Sequence, residues 1–386
     1  MTGPLSGLRV VEAGGIGPGP FAAMMLADMG ADVLRIEPPR LTRETDVSRL
    51  DYDALMRGRR SVAVDIKDPE GLECLLRLVD SADVLLEGFR PGVAERLGFG
   101  PDVCLARRPS LVYGRITGWG QDGPLAQAAG HDINYIALAG VLAHLGRPGQ
   151  PPVPPLNLVG DFGGGGMLMA FGIVCALQHA RTSGVGQVVD AAMVDGAALL
   201  STMFHGEVAQ GRWSDELGRN NIDGGAPHYD VYETSDGKHI AVGAFEPRFF
   251  AELAAKVGLD VPPGANHLDR RNWPEIRRQL TEIFRGRTRD EWCGVLEGTD
   301  ACFSPVLTMG ETTEHAHIRA RGTFVDVDGV TLPAPAPRFS ATPAAVPSAP
   351  PRPGQHTLSA LEQWGIPAET VADLAERGVV AQAATS

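Results

Sequence analysis

Leu8-Arg-Val-Val-Glu12, Ala13-Gly-Gly-Ile-Gly-Pro-Gly-Pro20, Phe21-Ala-Ala-Met-Met-Leu-Ala-Asp-Met29 and Asp32-Val-Leu-Arg-Ile-Glu37 follow one another near the N-terminus. An apolar β-branched run, a glycine-rich loop, a helical pattern and a second apolar run make one strand–helix–strand unit. The loop imitates a dinucleotide fingerprint, with Glu37 in place of the acidic residue that would hold a ribose. The third glycine, needed where helix and strand touch, is however Pro20, and Pro18 also intrudes. Proline suits the first turn of a helix, so the loop is read as scaffold.

Three more β-branched runs follow, at Ser61–Ile66, Asp83–Glu87 and Leu111–Thr117, with a helical pattern at Glu70–Val79. Alternating strands and helices predict a parallel sheet covered on both faces. Helices are expected at Asp132–Leu145 and Met167–Ala180, then a strand at Gln187–Asp190 and a helix to about Gln210. Beyond Gly224-Gly225 the pattern changes. Tyr229–Thr234 and His239–Gly243 flank Ser235-Asp236-Gly237 as a hairpin, and helices are expected at Arg248–Val257, Trp273–Phe284 and Arg289–Leu296. The expected organisation is a large α/β domain over 1–210, a linker at 211–225, a small α+β domain over 226–324, and a return segment over 325–386. That last segment is Pro-rich from Pro333 to Pro353 and ends in two short helices packed on the large domain.

The chain has 386 residues, with 34 basic and 47 acidic side chains for a formal charge of −13. That balance argues against nucleic acid as a partner. Cys74, Cys104, Cys175, Cys293 and Cys302 include no C-x-x-C pair, so neither a disulfide framework nor a metal site is expected, and a cytoplasmic setting is. Phe162 to Leu177 is the longest uncharged apolar stretch and is too short for a membrane span; no membrane association is expected. The 48 glycines and 30 prolines have no collagen period and imply tight turns and close backbone approaches.

Two segments depart from ordinary scaffolding. Gly130-His-Asp-Ile-Asn-Tyr135 and Pro155-Leu-Asn-Leu-Val-Gly-Asp161-Phe-Gly-Gly-Gly-Gly166 each open an apolar helix with one titratable group, His131 or Asp161. Free N–H groups at such a terminus can receive a developing negative oxygen. The plain alternative is that Asp161 is an N-cap and His131 a structural histidine. Asp132 reads better as a cap than as an acid. Glu246, between a strand and Pro247, caps a helix or orients His131. Met24, Met25, Met29, Met167, Met169, Met193 and Met203 are core filler or an adaptable acyl surface.

These blocks resemble the α-methylacyl-CoA racemase branch of the family III CoA-transferase superfamily. Leu8–Glu12, Gly15–Pro20, Gly130–Tyr135, Pro155–Phe162, Gly186–Ala191, Asp223–Pro227, Ala241–Pro247 and Gly298–Cys302 carry the resemblance in order along most of the chain. It implies a Rossmann-like large domain in an interlocked homodimer, with each active site between the large domain of one subunit and the small domain of the other. It implies inversion of the 2-methyl centre of an acyl-CoA thioester by proton transfer, with His131 and Asp161 as acid/base pair on opposite faces of Cα. Glu246 would support His131, Asn157 would steady Asp161, and the Asp132 N–H would help hold the thioester oxygen. CoA, part of the substrate rather than a separate cofactor, would lie along Val64-Asp65-Ile66-Lys67, Gly88-Phe89-Arg90 and the Gly130, Ile133, Asn134 and Tyr135 positions, with Arg57, Arg59 and Arg60 for its phosphates. Relatives usually carry a basic residue where this chain has Pro38, and Arg40 is the candidate replacement. Two other readings stay open: a CoA transferase of the same superfamily with Asp161 as nucleophile, and a non-catalytic acyl-CoA-binding protein.

Overall fold

A computed structural model describes residues 2–43, 53–260 and 266–384. The chain divides into two units: residues 1–139, 156–200 and 321–386 form one, and 140–155 with 201–320 form the other. The expected boundaries therefore shift. The second unit begins at Ser201 rather than Ala226, because the supposed linker is itself folded: buried Asn220 donates to Ser214 O and to Asp223, which also accepts the Gly218 and Gly225 N–H groups. Gly140–Pro155, expected within the large domain, belongs to the second unit too.

In the first unit, strands β1 (Arg9–Ala13), β2 (Asp32–Glu37), β3 (Arg60–Val64), β4 (Val84–Glu87), β5 (Val112–Thr117) and β6 (Gln187–Ala192) form a parallel sheet in the order 3-2-1-4-5-6. The C-terminal strand Val380–Ala381 adds antiparallel to β3. This is the Rossmann order, and its reversal between β1 and β4 opens a crevice at the carboxyl ends of those strands. The apolar residues of β1 to β5 are buried on both faces, as a covered parallel sheet requires. Helix Pro69–Ser81 shows why these segments fold as they do: Asp68 caps it, Pro69 starts it, and Leu75, Leu76 and Val79 are buried. The return segment reaches the sheet through Thr357 Oγ1, which accepts the Ala63 N–H at 2.9 Å, and Trp364, whose indole donates to Asp32.

Two helical expectations change. The helix at Asp132 stops at Leu138, where the chain turns through Gly140 at φ 81°. The one expected from Met167 begins much earlier: Leu158–Met167 is π-helical and runs on into the α-helix Leu168–Ser183. The combined run has 26 residues, long and apolar enough to cross a membrane by length and composition. Here Met169, Ile173, Ala176 and Leu177 pack into the core beneath β5 and β6.

The second unit holds a small antiparallel sheet, β7 (Tyr229–Glu233), β8 (His239–Gly243) and β9 (Phe303–Pro305), with helices Pro247–Val257, Trp273–Phe284 and Arg289–Leu296 beside it. Its core gathers Tyr232, Ile240, Val242, Leu253, Leu280 and Phe284. His228 is fully buried among the rings of Phe245, Phe250, His267 and Trp273, and burial pushes its pKa down to about 4.

Candidate active site

A cavity of about 660 Å³ opens at the reversal point of the sheet. Its walls are the loops that leave β1 (Gly15–Gly19), β4 (Gly88–Pro91) and β5 (Thr117–Trp119), together with His131, Tyr135, Asn157 and Asp161, all from the first unit. Buried ion pairs set the loop positions. Glu12 accepts from Arg35 and Arg59, and these two arginines donate onward to Gly15 O at 3.1 Å and Pro20 O at 2.8 Å, bracing the glycine-rich loop. Glu87 accepts from Arg115 at 2.9 Å and from the Phe89 N–H at 2.6 Å, which fixes the turn at Gly88–Arg90.

His131 is the N-cap of helix Asp132–Leu138, and its own backbone N–H is bound by Asn134 Oδ1 at 3.0 Å, three residues on. That explains the Asn in Gly-His-Asp-Ile-Asn, because a side-chain acceptor at the third helical position closes the cap. Asp132 is the first helical residue, not the cap. The first intrahelical bond runs from the Asn134 N–H to His131 O, so the Asp132 and Ile133 N–H groups come before it and are donors without intrahelical partners.

Asp161 does not cap a helix either. It lies within the first turn of the π-helical run, where Asn157 is the N-cap. The Asn157 amide donates to Asp161 Oδ2 at 3.1 Å. The widened turn is marked by the Phe162 N–H bonding to Asn157 O, and by Leu156 just before it at φ 59°. A leucine there costs about 1–2 kcal/mol, which the surrounding structure must offset. Gly17 completes the wall, since a Cβ at that position would stand 3.4 Å from Asp161 Oδ2. Burial pushes the Asp161 carboxyl above its ordinary pKa, the Asn157 amide pulls it back, the charge of Asp132 adds to the rise, and His131 opposes it.

Other expected residues divide between the cavity and its surroundings. Gly88, Phe89, Arg90, Gly130 and Tyr135 line it, whereas Val64, Asp65, Ile66, Lys67, Ile133 and Asn134 do not. Val64 is buried and pairs with Val380 in the sheet, while Lys67 is exposed. The arginines expected for phosphate are already engaged. Arg57 is buried against Asp28 and donates to Pro333 O, Arg59 is buried against Glu12, and Arg60 is bidentate to Asp32. Their counter-charges lie on neighbouring strands and helices, so a sequence shows the cations without showing what has claimed them. Arg40 lies exposed on the Pro39–Arg43 turn, outside the cavity lining. Glu246 is the exposed N-cap of helix Pro247–Val257 in the second unit. Of the methionines, Met24, Met29 and Met169 are core and Met193 reaches the cavity, while Met167 and Met203 are exposed.

Trp119 also lines the cavity and was missed. Its ring meets Tyr135 edge-on at 4.8 Å, and its indole N–H is buried without a hydrogen-bond partner among the described residues. Glycines make room for this pair: a Cβ at Gly118 would fall 2.2 Å from the Tyr135 ring, and one at Gly130 2.8 Å from it. The only sign in the sequence is an aromatic between two glycines, Gly118-Trp119-Gly120.

A model of CoA-transferase family III matches residues 5–357. The chain is 46% identical to the α-methylacyl-CoA racemase of Mus musculus over 374 residues, and 44% identical to that of Homo sapiens over 373, in each case across 96% of both chains. A crystal structure of a CAIB/BAIF family protein from Brucella suis superposes with a TM-score of 0.81 at 27% identity, covering 94% of this chain and 100% of that one. The chain belongs to CoA-transferase family III.

Proposed function

We propose that this chain is an isomerase that inverts the 2-methyl centre of 2-methylacyl-CoA thioesters. The observation that carries this reading is the pairing in one cavity of an imidazole, His131, with a carboxyl, Asp161, whose proton affinity is raised by burial. A thioester makes its α-proton removable by letting charge collect on oxygen as an enolate. Inversion then needs a group on each face of the carbon, one taking a proton and the other returning one. Neutral His131 takes the proton of one enantiomer while protonated Asp161 donates; for the other, the Asp161 carboxylate takes and the imidazolium donates. Two groups with similar proton affinities suit a reaction that runs both ways. The Asp132 N–H, without a hydrogen-bond partner among the described residues, is the donor for the enolate oxygen, worth roughly 10²–10³ in rate.

The substrate brings its own CoA, and the chemistry asks for no further cofactor. The thioester arm lies along Gly88–Arg90, with the exposed Arg90 and Lys67 as phosphate partners. A homodimer is supported by apolar side chains left uncovered on the helical run and beyond it: Met167 is 53% exposed, Phe171 66% and Leu199 60%. In such a dimer Glu246 from the other subunit is the orienter of the His131 imidazole. The five unpaired thiols suit a reducing compartment such as the cytoplasm.

A transferase would use Asp161 as a nucleophile and has no evident task for His131. Incubating the protein with a single enantiomer of 2-methylbutanoyl-CoA in D₂O separates the readings. Deuterium at Cα with loss of optical purity is expected. Movement of CoA to an added carboxylic acid without exchange would establish the transferase, and binding with neither outcome would leave a non-catalytic protein.

A further inference from the structure

The backbone N–H of Asp132 has a task in this reading, and its side chain has another. Asp132 is 5% exposed. Its Oδ1 accepts the backbone N–H of Asp161 at 2.7 Å, while its Oδ2 is buried with no hydrogen-bond partner among the described residues. Gly160 makes the approach possible, because a Cβ there would stand 2.6 Å from Asp132 Oδ1. An unpaired buried carboxylate oxygen is costly, and this one sits beside the group whose proton matters. The other groups facing Asp161 are few: Asn157 on its own turn, His131 and Tyr135 from the neighbouring helix and its cap, and the backbone of Gly17. Among the described residues, no arginine or lysine is one of the charges acting on it.

We propose that the side chain of Asp132 is a positioning residue for the Asp161 carboxyl, holding it through its own backbone N–H and facing it with a buried negative charge. The proposal rests on the racemase reading. Hold and charge can be separated. Asp132→Asn keeps an acceptor oxygen and removes the charge; Asp132→Ala removes both; Gly160→Ala keeps the charge and drives the carboxylate off the N–H.

The test measures kcat and KM for racemisation of 2-methylbutanoyl-CoA across pH, with thermal unfolding of each full-length variant as control. For the enantiomer whose α-proton Asp161 takes, Asp132→Asn is expected to move the acid limb of kcat/KM to lower pH, since a neighbouring negative charge favours the protonated carboxyl, with KM almost unchanged. Asp132→Ala and Gly160→Ala are expected to lower kcat by roughly 10²-fold, the effect of a displaced reacting group. An Asp132→Asn acid limb that coincides with that of the unmodified protein overturns the proposal, as does a Gly160→Ala variant with full kcat. If Asp132→Ala does not fold, the other two variants decide. An unmodified protein that exchanges no α-proton in D₂O sinks the racemase reading and this proposal with it; failure of the proposal alone leaves that exchange intact.

Discussion

Asp161 is asked to give and to take the same proton, and its neighbours pull it in opposite directions. Burial and the Asp132 charge favour the protonated form, while Asn157, donating to Oδ2, favours the carboxylate. Replacing Asn157 with Ala removes the side-chain hydrogen bond that lowers the pKa, so for the enantiomer whose α-proton Asp161 takes, the acid limb of kcat/KM is expected to move to higher pH. At a pH near that limb the variant is slower than the unmodified protein, and well above it the difference narrows. A pH–rate series reads this directly, and a limb that stays put would show that Asn157 does not act on Asp161. At this scale the sequence exposes the actors but not their roles. His131, Asp161 and Asn157 stand out because they sit in uncharged, glycine-rich surroundings. The grip of Asp132 on the Asp161 N–H is invisible there, because it joins two helices by a side chain that reads equally well as a cap.

The element that presents Asp161 is unusual because of its glycines. Gly163 to Gly165 let the π-helical run Leu158–Met167 lie against helix Met193–Leu200, and Gly164 does so at backbone distance, where a Cβ on Gly196 would fall 1.9 Å from Gly164 O. Gly196→Ala is therefore expected to destabilise the protein by about 1–3 kcal/mol through overpacking, and to lower kcat because the run carrying Asp161 must shift. Urea unfolding and steady-state rates measure both effects. Gly206→Ala, inside an exposed helix with nothing within 4 Å of the added methyl, serves as the control: it is expected to gain about 0.4–1 kcal/mol of stability with kcat unchanged. Strands and amphipathic helices are legible from the sequence because their periods are local: Asp32–Glu37 and Trp273–Phe284 lie where the pattern puts them. The early start at Leu158 is not, because glycines are poor helix formers and this turn is held by packing against its neighbours. The folded corner at Ser214–Gly225 hides for a similar reason, since Gly, Asn and Asp signal a turn without telling whether it packs.

For the whole molecule, the reversal of strand order between β1 and β4 puts the cavity where a doubly wound sheet leaves room for a ligand, and the parallel sheet itself follows from the alternation of strands and helices. The uncovered apolar side chains argue for assembly. Phe171→Asp is expected to convert a dimer to a monomer in sedimentation velocity and to lower racemase activity at the same time. An unmodified protein that sediments as a fully active monomer would contradict that. The central claim, that two different groups serve the two faces of one carbon, is tested most directly by following α-proton exchange in D₂O for each enantiomer separately with His131→Ala and Asp161→Asn. Each variant is expected to lose racemisation by roughly 10²–10⁴-fold while still exchanging one enantiomer, and not the same one. Exchange of the same enantiomer by both variants, or undiminished racemisation by either, would contradict it.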